Sequence, residues 1–245
     1  MSIENLVLET TPINAGGDDS VLAGIWRRIL TDLKVDNAAV YERIERFSKI
    51  LTVNYPDKTT QVRGNLRNDV NKPGMTWFTF TKCLRMLGVQ YFEITFTLHH
   101  LRLVSKHTLR VPLSDEDFLG PKEREENQKE DTPSVLSEFF KEIQQQLGIG
   151  VQKFEQLLEE FMRREKLVVN LRNKTNIRGY LKKDFSSPRM SWKNFMKAMV
   201  FLCVLTMELD ITLHFPKGSL TKHSYTVILG DQDNYYEEMK NELGI

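Results

Sequence analysis

The sequence predicts an α+β protein, a tandem duplication of a helical module that ends in a β-hairpin. Three observations predict it. The two halves match one another, apolar residues recur at helical spacing ahead of each matched core, and period-two alternation follows it. The match runs from Thr59 to His100 against Lys174 to Phe215 at a constant offset of 115 residues. Identities include Arg63/Arg178, Gly64/Gly179, Leu66/Leu181, Asp69/Asp184, Pro73/Pro188, Trp77/Trp192, Phe80/Phe195, Lys82/Lys197 and His99/His214. Upstream, Ser20–Leu33 pairs with Ser134–Leu147 at an offset of 114, and downstream Lys106-His107-Thr108 pairs with Lys222-His223-Ser224 at 116.

Taken in order, residues 1–19 read as an extended arm with a turn at Gly16-Gly17-Asp18-Asp19. Module 1 spans 20–113 and module 2 spans 134–230. Each opens on an amphipathic helix, with Leu22, Ile25, Trp26, Ile29 and Leu33 on one face in the first copy. Leu136, Phe139, Phe140, Ile143 and Leu147 repeat that stripe in the second. A second helix follows, AAVYERIERFSKIL or VQKFEQLLEEFMRR, then a short basic helix ending near Asp69 or Asp184. Pro73 or Pro188 breaks the chain, and Thr76 or Ser191 caps the next helix. On that helix Trp77, Phe80, Leu84 and Leu87, like Trp192, Phe195, Met199 and Leu202, share a face and are expected in the core. FEITFTLHH with LRVPL, and ELDITLHF with YTVIL, alternate as hairpin strands. This order is compatible with a winged helix-turn-helix, and equally with a generic α+β domain. The polar, acidic stretch 114–133 is a linker, and 231–245 is a tail or short helix.

Composition removes several classes. With 245 residues, 40% hydrophobic and 27% charged, the chain can bury a core and is neither collagenous nor of low complexity. No apolar run approaches the roughly 18 residues of a spanning helix, and the N-terminus lacks a signal-peptide pattern. Cys83 and Cys203 sit in apolar stretches, as small hydrophobes of a reducing compartment. The expectation is a soluble, cytoplasmic protein with no membrane partner.

The net charge of +1 hides an uneven distribution. Lys58 to Arg110 holds nine Lys or Arg against two acids, and Arg172 to Thr226 holds ten against three. Clustered cations are the footprint of a phosphate-binding surface, while a solvated face balanced by acidic helices is the plainer account. The candidate nucleic-acid contacts are Arg63, Arg67, Lys72 and Lys82, with Arg178, Lys182, Lys183 and Lys197 as counterparts. Lys82 and Lys197 lie opposite the apolar stripe, so packing does not explain their presence in both copies. Arg63 and Arg178 precede a glycine, which permits close approach to a ligand, or they pair internally with Asp69 and Asp184.

The pairs His99/His107 and His214/His223 could each face one another across a hairpin, but no third ligand stands at metal spacing. No Walker loop, Rossmann fingerprint, HExxH, nucleophile elbow or kinase set is present, and neither a cofactor nor an enzymatic activity is expected. The segments PGMTWFTFTKCLRMLGV and PRMSWKNFMKAMVFLCV, each followed by a Thr-Leu-His strand, are similar to uncharacterised proteins of large tailed bacteriophages. That resemblance covers the two repeat cores and implies a place in an infected bacterial cytoplasm or a virion. The expected function is non-enzymatic binding of DNA or RNA by two basic modules. The alternative is a phage structural or host-interaction protein, with the paired modules as a scaffold for a host or virion protein.

Overall fold

Among the described residues four helices precede each of two hairpins, and the hairpins join edge to edge into one sheet. The computed structural model describes residues 13–14, 18–54, 59–72, 74–100, 103–114, 134–164, 171–188 and 190–229. The first half contains β1 (Ile13–Asn14), α1 (Asp18–Asp32), α2 (Asn37–Asn54), α3 (Thr59–Asp69), α4 (Trp77–Met86), β2 (Tyr91–His100) and β3 (Val104–Pro112). The second contains α5 (Val135–Gln146), α6 (Val151–Arg164), α7 (Leu171–Ser186), α8 (Trp192–Phe201), β4 (Val204–His214) and β5 (Leu220–Ile228). A 3-10 turn at Pro216–Gly218 links the last two strands. The protein is α+β.

Equivalent residues start and stop equivalent helices. Thr76 and Ser191 each accept a hydrogen bond from the backbone N–H three residues on, at 3.2 and 3.1 Å, satisfying a donor that the helix cannot. At the other ends, Lys34 and Gly148 hold matching left-handed positions with φ of 53° and 64°. The residue after each donates back five positions, Val35 to Leu30 and Ile149 to Gln144. This closure ties off carbonyls that would otherwise be orphaned. Gly88 and Cys203 form a second such pair, with φ of 92° and 61°.

The strand order is β1-β5-β4-β2-β3, antiparallel except for β1 on β5. The central β2–β4 ladder pairs Tyr91 with His214 and His99 with Thr206. Thr206 is the counterpart of Tyr91, and His214 that of His99, so the register is its own image about the Thr95–Asp210 pair. Phe92, Ile94, Phe96 and Leu98, with Met207, Leu209, Ile211 and Leu213, turn to the helices and are fully buried.

The halves are interlocked as well as paired. α1 packs on α4 of its own half but also on α8 and β5 of the other, and α5 packs on β3 of the first half. At one crossing, Asp32 at the end of α1 lies 2.7 Å from Nδ1 of buried His223 on β5. The two modules drawn from the sequence therefore share a single core. The linker beyond Ser114, the arm up to Pro12 and the tail 231–245 lie outside the described residues.

Burial follows the expected stripe of α4 and α8 with one exception, and the stripes of α1 and α5 are buried except at their last positions, Leu33 and Leu147. Trp192, Phe195, Met199 and Leu202 are buried, as are Phe80, Leu84 and Leu87, whereas Trp77 is half-buried and stacks on Trp192 at 5.4 Å and 6°. Cys83 is buried, which pushes its thiol pKa up, while Cys203 is half-buried. The register corrects the expected histidine pairs. His99 sits opposite Val104 and His107 opposite Phe96, so the two rings occupy opposite faces of the sheet. His214 opposite Leu220 and His223 opposite Ile211 are separated in the same way. A one-residue difference in parity decides the face, because side chains alternate along a strand.

Candidate functional site

The basic helices α3 and α7 lie against α2 and α6, and the carboxylates of those neighbours set the state of the candidate cations. Arg63 and Arg67 both reach Glu45 on α2, at 3.3 and 2.6 Å. In the second half Arg178 reaches Glu155 at 2.5 Å and Glu159 at 3.0 Å, and Lys182 also pairs with Glu155. Lys182, then Arg178, hold the Glu155 carboxyl below the usual range, and Glu155 in turn raises the Arg178 pKa. Lys72 pairs with Asp69 at 2.8 Å and Lys197 with Asp184 at 3.3 Å. Lys82 lies 4.0 Å from the ring centre of Phe78, and Lys183 is exposed.

The structure thus gathers Arg63 with Arg67, and Arg178 with Lys182, but on the chain's own carboxylates. The partners of Arg63 and Arg178 are acids of the preceding helix rather than Asp69 and Asp184. An acid that sits within hydrogen-bonding distance of a cation cancels most of the field it would show to a phosphate.

A second surface emerges that the sequence did not single out. One face of the sheet packs on helices, and on the other every described strand side chain is half-buried or exposed. Across β3, β2, β4 and β5 its middle rows read Lys106–Thr97–Glu208–Thr226, Thr108–Thr95–Asp210–Ser224 and Arg110–Glu93–Thr212–Lys222. Three cations stand among three carboxylates, so this face is close to neutral. It is also laced. Thr95 and Thr108 share a hydrogen bond at 3.0 Å, and Ser224 donates to Asp210 at 2.6 Å. His99 lies 3.1 Å from Glu208, and its counterpart His214 lies 3.6 Å from Glu93. The ring of Tyr91 stacks on His214 at 4.1 Å, and the Arg110 guanidinium sits 4.1 Å over the same tyrosine.

Comparison with protein families, curated proteins and solved structures gives no match. The chain's own two halves are therefore the comparison that informs the site. They agree on the polar lacing of the sheet and on the ion pairs of α3 and α7.

Among the described residues no group of three or more His, Cys, Asp or Glu side chains is placed to hold a metal ion, and no helix is long and apolar enough to cross a membrane. The sequence shows Glu93 and Glu208 as a matched pair of acids, but gives neither them nor Tyr91 and Arg110 a place in a site. The signal that could have found them was the parity of each strand, since every second residue of YFEITFTLHH and TMELDITLHF is polar or aromatic.

Proposed function

We propose that the chain is a tandem duplication serving as a non-enzymatic protein-binding scaffold, docking a host or virion protein on the helix-free face of its sheet. The observation that carries this reading is the charge pattern of that face. A phosphate backbone selects an accumulation of cations, whereas here acids and bases alternate about an internal two-fold. Polar, mixed-charge surfaces with a few aromatic and arginine side chains suit a protein partner. The cations of α3 and α7 support the same choice, because their carboxylate partners would have to be given up to a nucleic acid.

The experiment compares the full chain with Thr97→Arg/Thr212→Arg, which places bulk at equivalent points of the open face. A host or virion protein captured by the full chain, and rebound as a purified pair, should lose binding about tenfold or more to this variant. The melting temperature should stay the same. Salt-sensitive binding to duplex DNA or single-stranded RNA instead, lost in Lys82→Gln/Lys197→Gln, would return the function to nucleic acid.

A further inference from the structure

The groove between the second and fourth helices of each half has diverged. In the first half, α2 and α4 leave a cleft of about 440 Å³. Its walls carry Arg43, Arg46 and Arg85, and its floor includes buried Phe47 and Met86. Ile50, 49% exposed, stands at the mouth. In the second half the positions of the three arginines are held by Leu157, Glu160 and Val200, and that of Met86 by Phe201. The Phe201 ring lies 5.0 Å from Phe154, 6.0 Å from Phe161 and 4.7 Å from Phe185, so aromatic packing occupies the matching space. The same scaffold is filled in one copy and open and basic in the other.

The open copy is arranged to receive something. Arg43 is anchored by one bond from Nη1 to the Leu87 carbonyl at 2.9 Å, which fixes its planar fork at the end of α4. Glu42 also lines the cleft, but its carboxylate is engaged by Arg46 at 3.0 Å on the outer side, where both side chains are more than 70% exposed. Arg43 and Arg85 line the cleft beside an apolar floor, so an anion with an apolar body would meet guanidinium donors and apolar surface together. Volumes of roughly 300–1,000 Å³ are those of small-molecule sites.

We propose that this cleft binds a small amphipathic anion, with a carboxylate or phosphate held by Arg43 and Arg85 and an apolar body lying on Phe47 and Met86. Both headgroups fit the arginine fork, which donates paired N–H groups to two oxygens at once. The site is independent of the open sheet face and belongs to the first half, the matching space of the second half being filled.

Calorimetric titration of the full chain with octanoate and with octyl phosphate tests the proposal, with octanol and inorganic phosphate as partial ligands. Saturable binding of either amphiphile at one site is expected, and the tighter of the two assigns the headgroup. Octanol and inorganic phosphate should each bind about tenfold or more weakly, because each lacks one half of the recognition. Arg85→Val and Met86→Phe install the residues that the second half already tolerates, so both should fold. The first should weaken binding about tenfold and the second should abolish it. Lys141→Gln, an exposed charge on α5, should change nothing. The proposal is overturned if neither amphiphile binds saturably, if octanol binds as tightly as octanoate, or if both variants bind like the parent.

Discussion

Asp32 and Gln146 occupy equivalent positions at the ends of α1 and α5, and each faces a buried histidine of the other half. Asp32 meets His223 as a carboxylate, while His107 is faced by the Gln146 amide. Truncating Asp32 to Ala leaves Nδ1 of a buried imidazole without its acceptor. This should destabilise the protein by about 1–3 kcal/mol in denaturant unfolding, and Gln146→Ala should cost less. His107 also gives the protein a pH dependence. Burial pulls its pKa down, with Gln146 and Glu142 opposing in part, and burial likewise lowers that of His100 against a bond to the Leu202 carbonyl. Both groups bind protons less readily folded than unfolded. Their contribution is therefore intact above the ordinary histidine value of about 6.5 and is lost as pH falls toward the depressed folded values. The denaturant midpoint should decline between neutral pH and mild acid, and less so in His100→Asn/His107→Asn. None of this partnering was legible from residue types, since Asp32 and His223 stand 191 positions apart.

Helix ends, by contrast, were largely legible. Thr76 and Ser191 read as caps because a hydroxyl just ahead of an apolar stripe, after a proline, has few other uses. The C-terminal stops were less visible, because Lys34 and Cys203 take the left-handed conformation that a glycine would announce. Here the halves supply their own controls. Lys34 is exposed, and nothing lies within 4 Å of a Cβ added at Gly148, so neither site carries a steric complication. Lys34→Gly should stabilise the protein by about 1 kcal/mol and Gly148→Lys should destabilise it by a similar amount, read as opposite shifts in thermal midpoint. Equal shifts of one sign would show that φ does not govern these turns. The ion pairs on α3 and α7 belong to the same scale. Arg63 and Glu45 lie on separate helices 18 residues apart, and the packing of α3 on α2 brings them together.

For the whole molecule, periodicity revealed the order of elements in each copy but not that two hairpins become one sheet. Strand pairing between β2 and β4 joins segments over a hundred residues apart, and no local pattern encodes which edge meets which. The shared sheet and exchanged first helices carry a direct expectation. Residues 1–113 or 134–245 expressed alone should not give a folded monomer, because each half lacks a strand for its central edge and a helix for its hairpin. Since the β2–β4 register is self-matching, a half that folds should do so as a dimer, and the two halves together should form a one-to-one complex. A sharp unfolding transition from a monomeric half in sedimentation would contradict the interlock. The interlock also bears on how the protein is made. A ribosome releases the chain from its N-terminus at about 5–20 residues per second, so roughly 10–40 s separate Asp32 from its partner on β5. Through that interval Leu22, Ile25, Trp26 and Ile29 await much of the surface that finally covers them. The nascent first half is thus a natural client for chaperones, and folding completes only as the last strand leaves the exit tunnel.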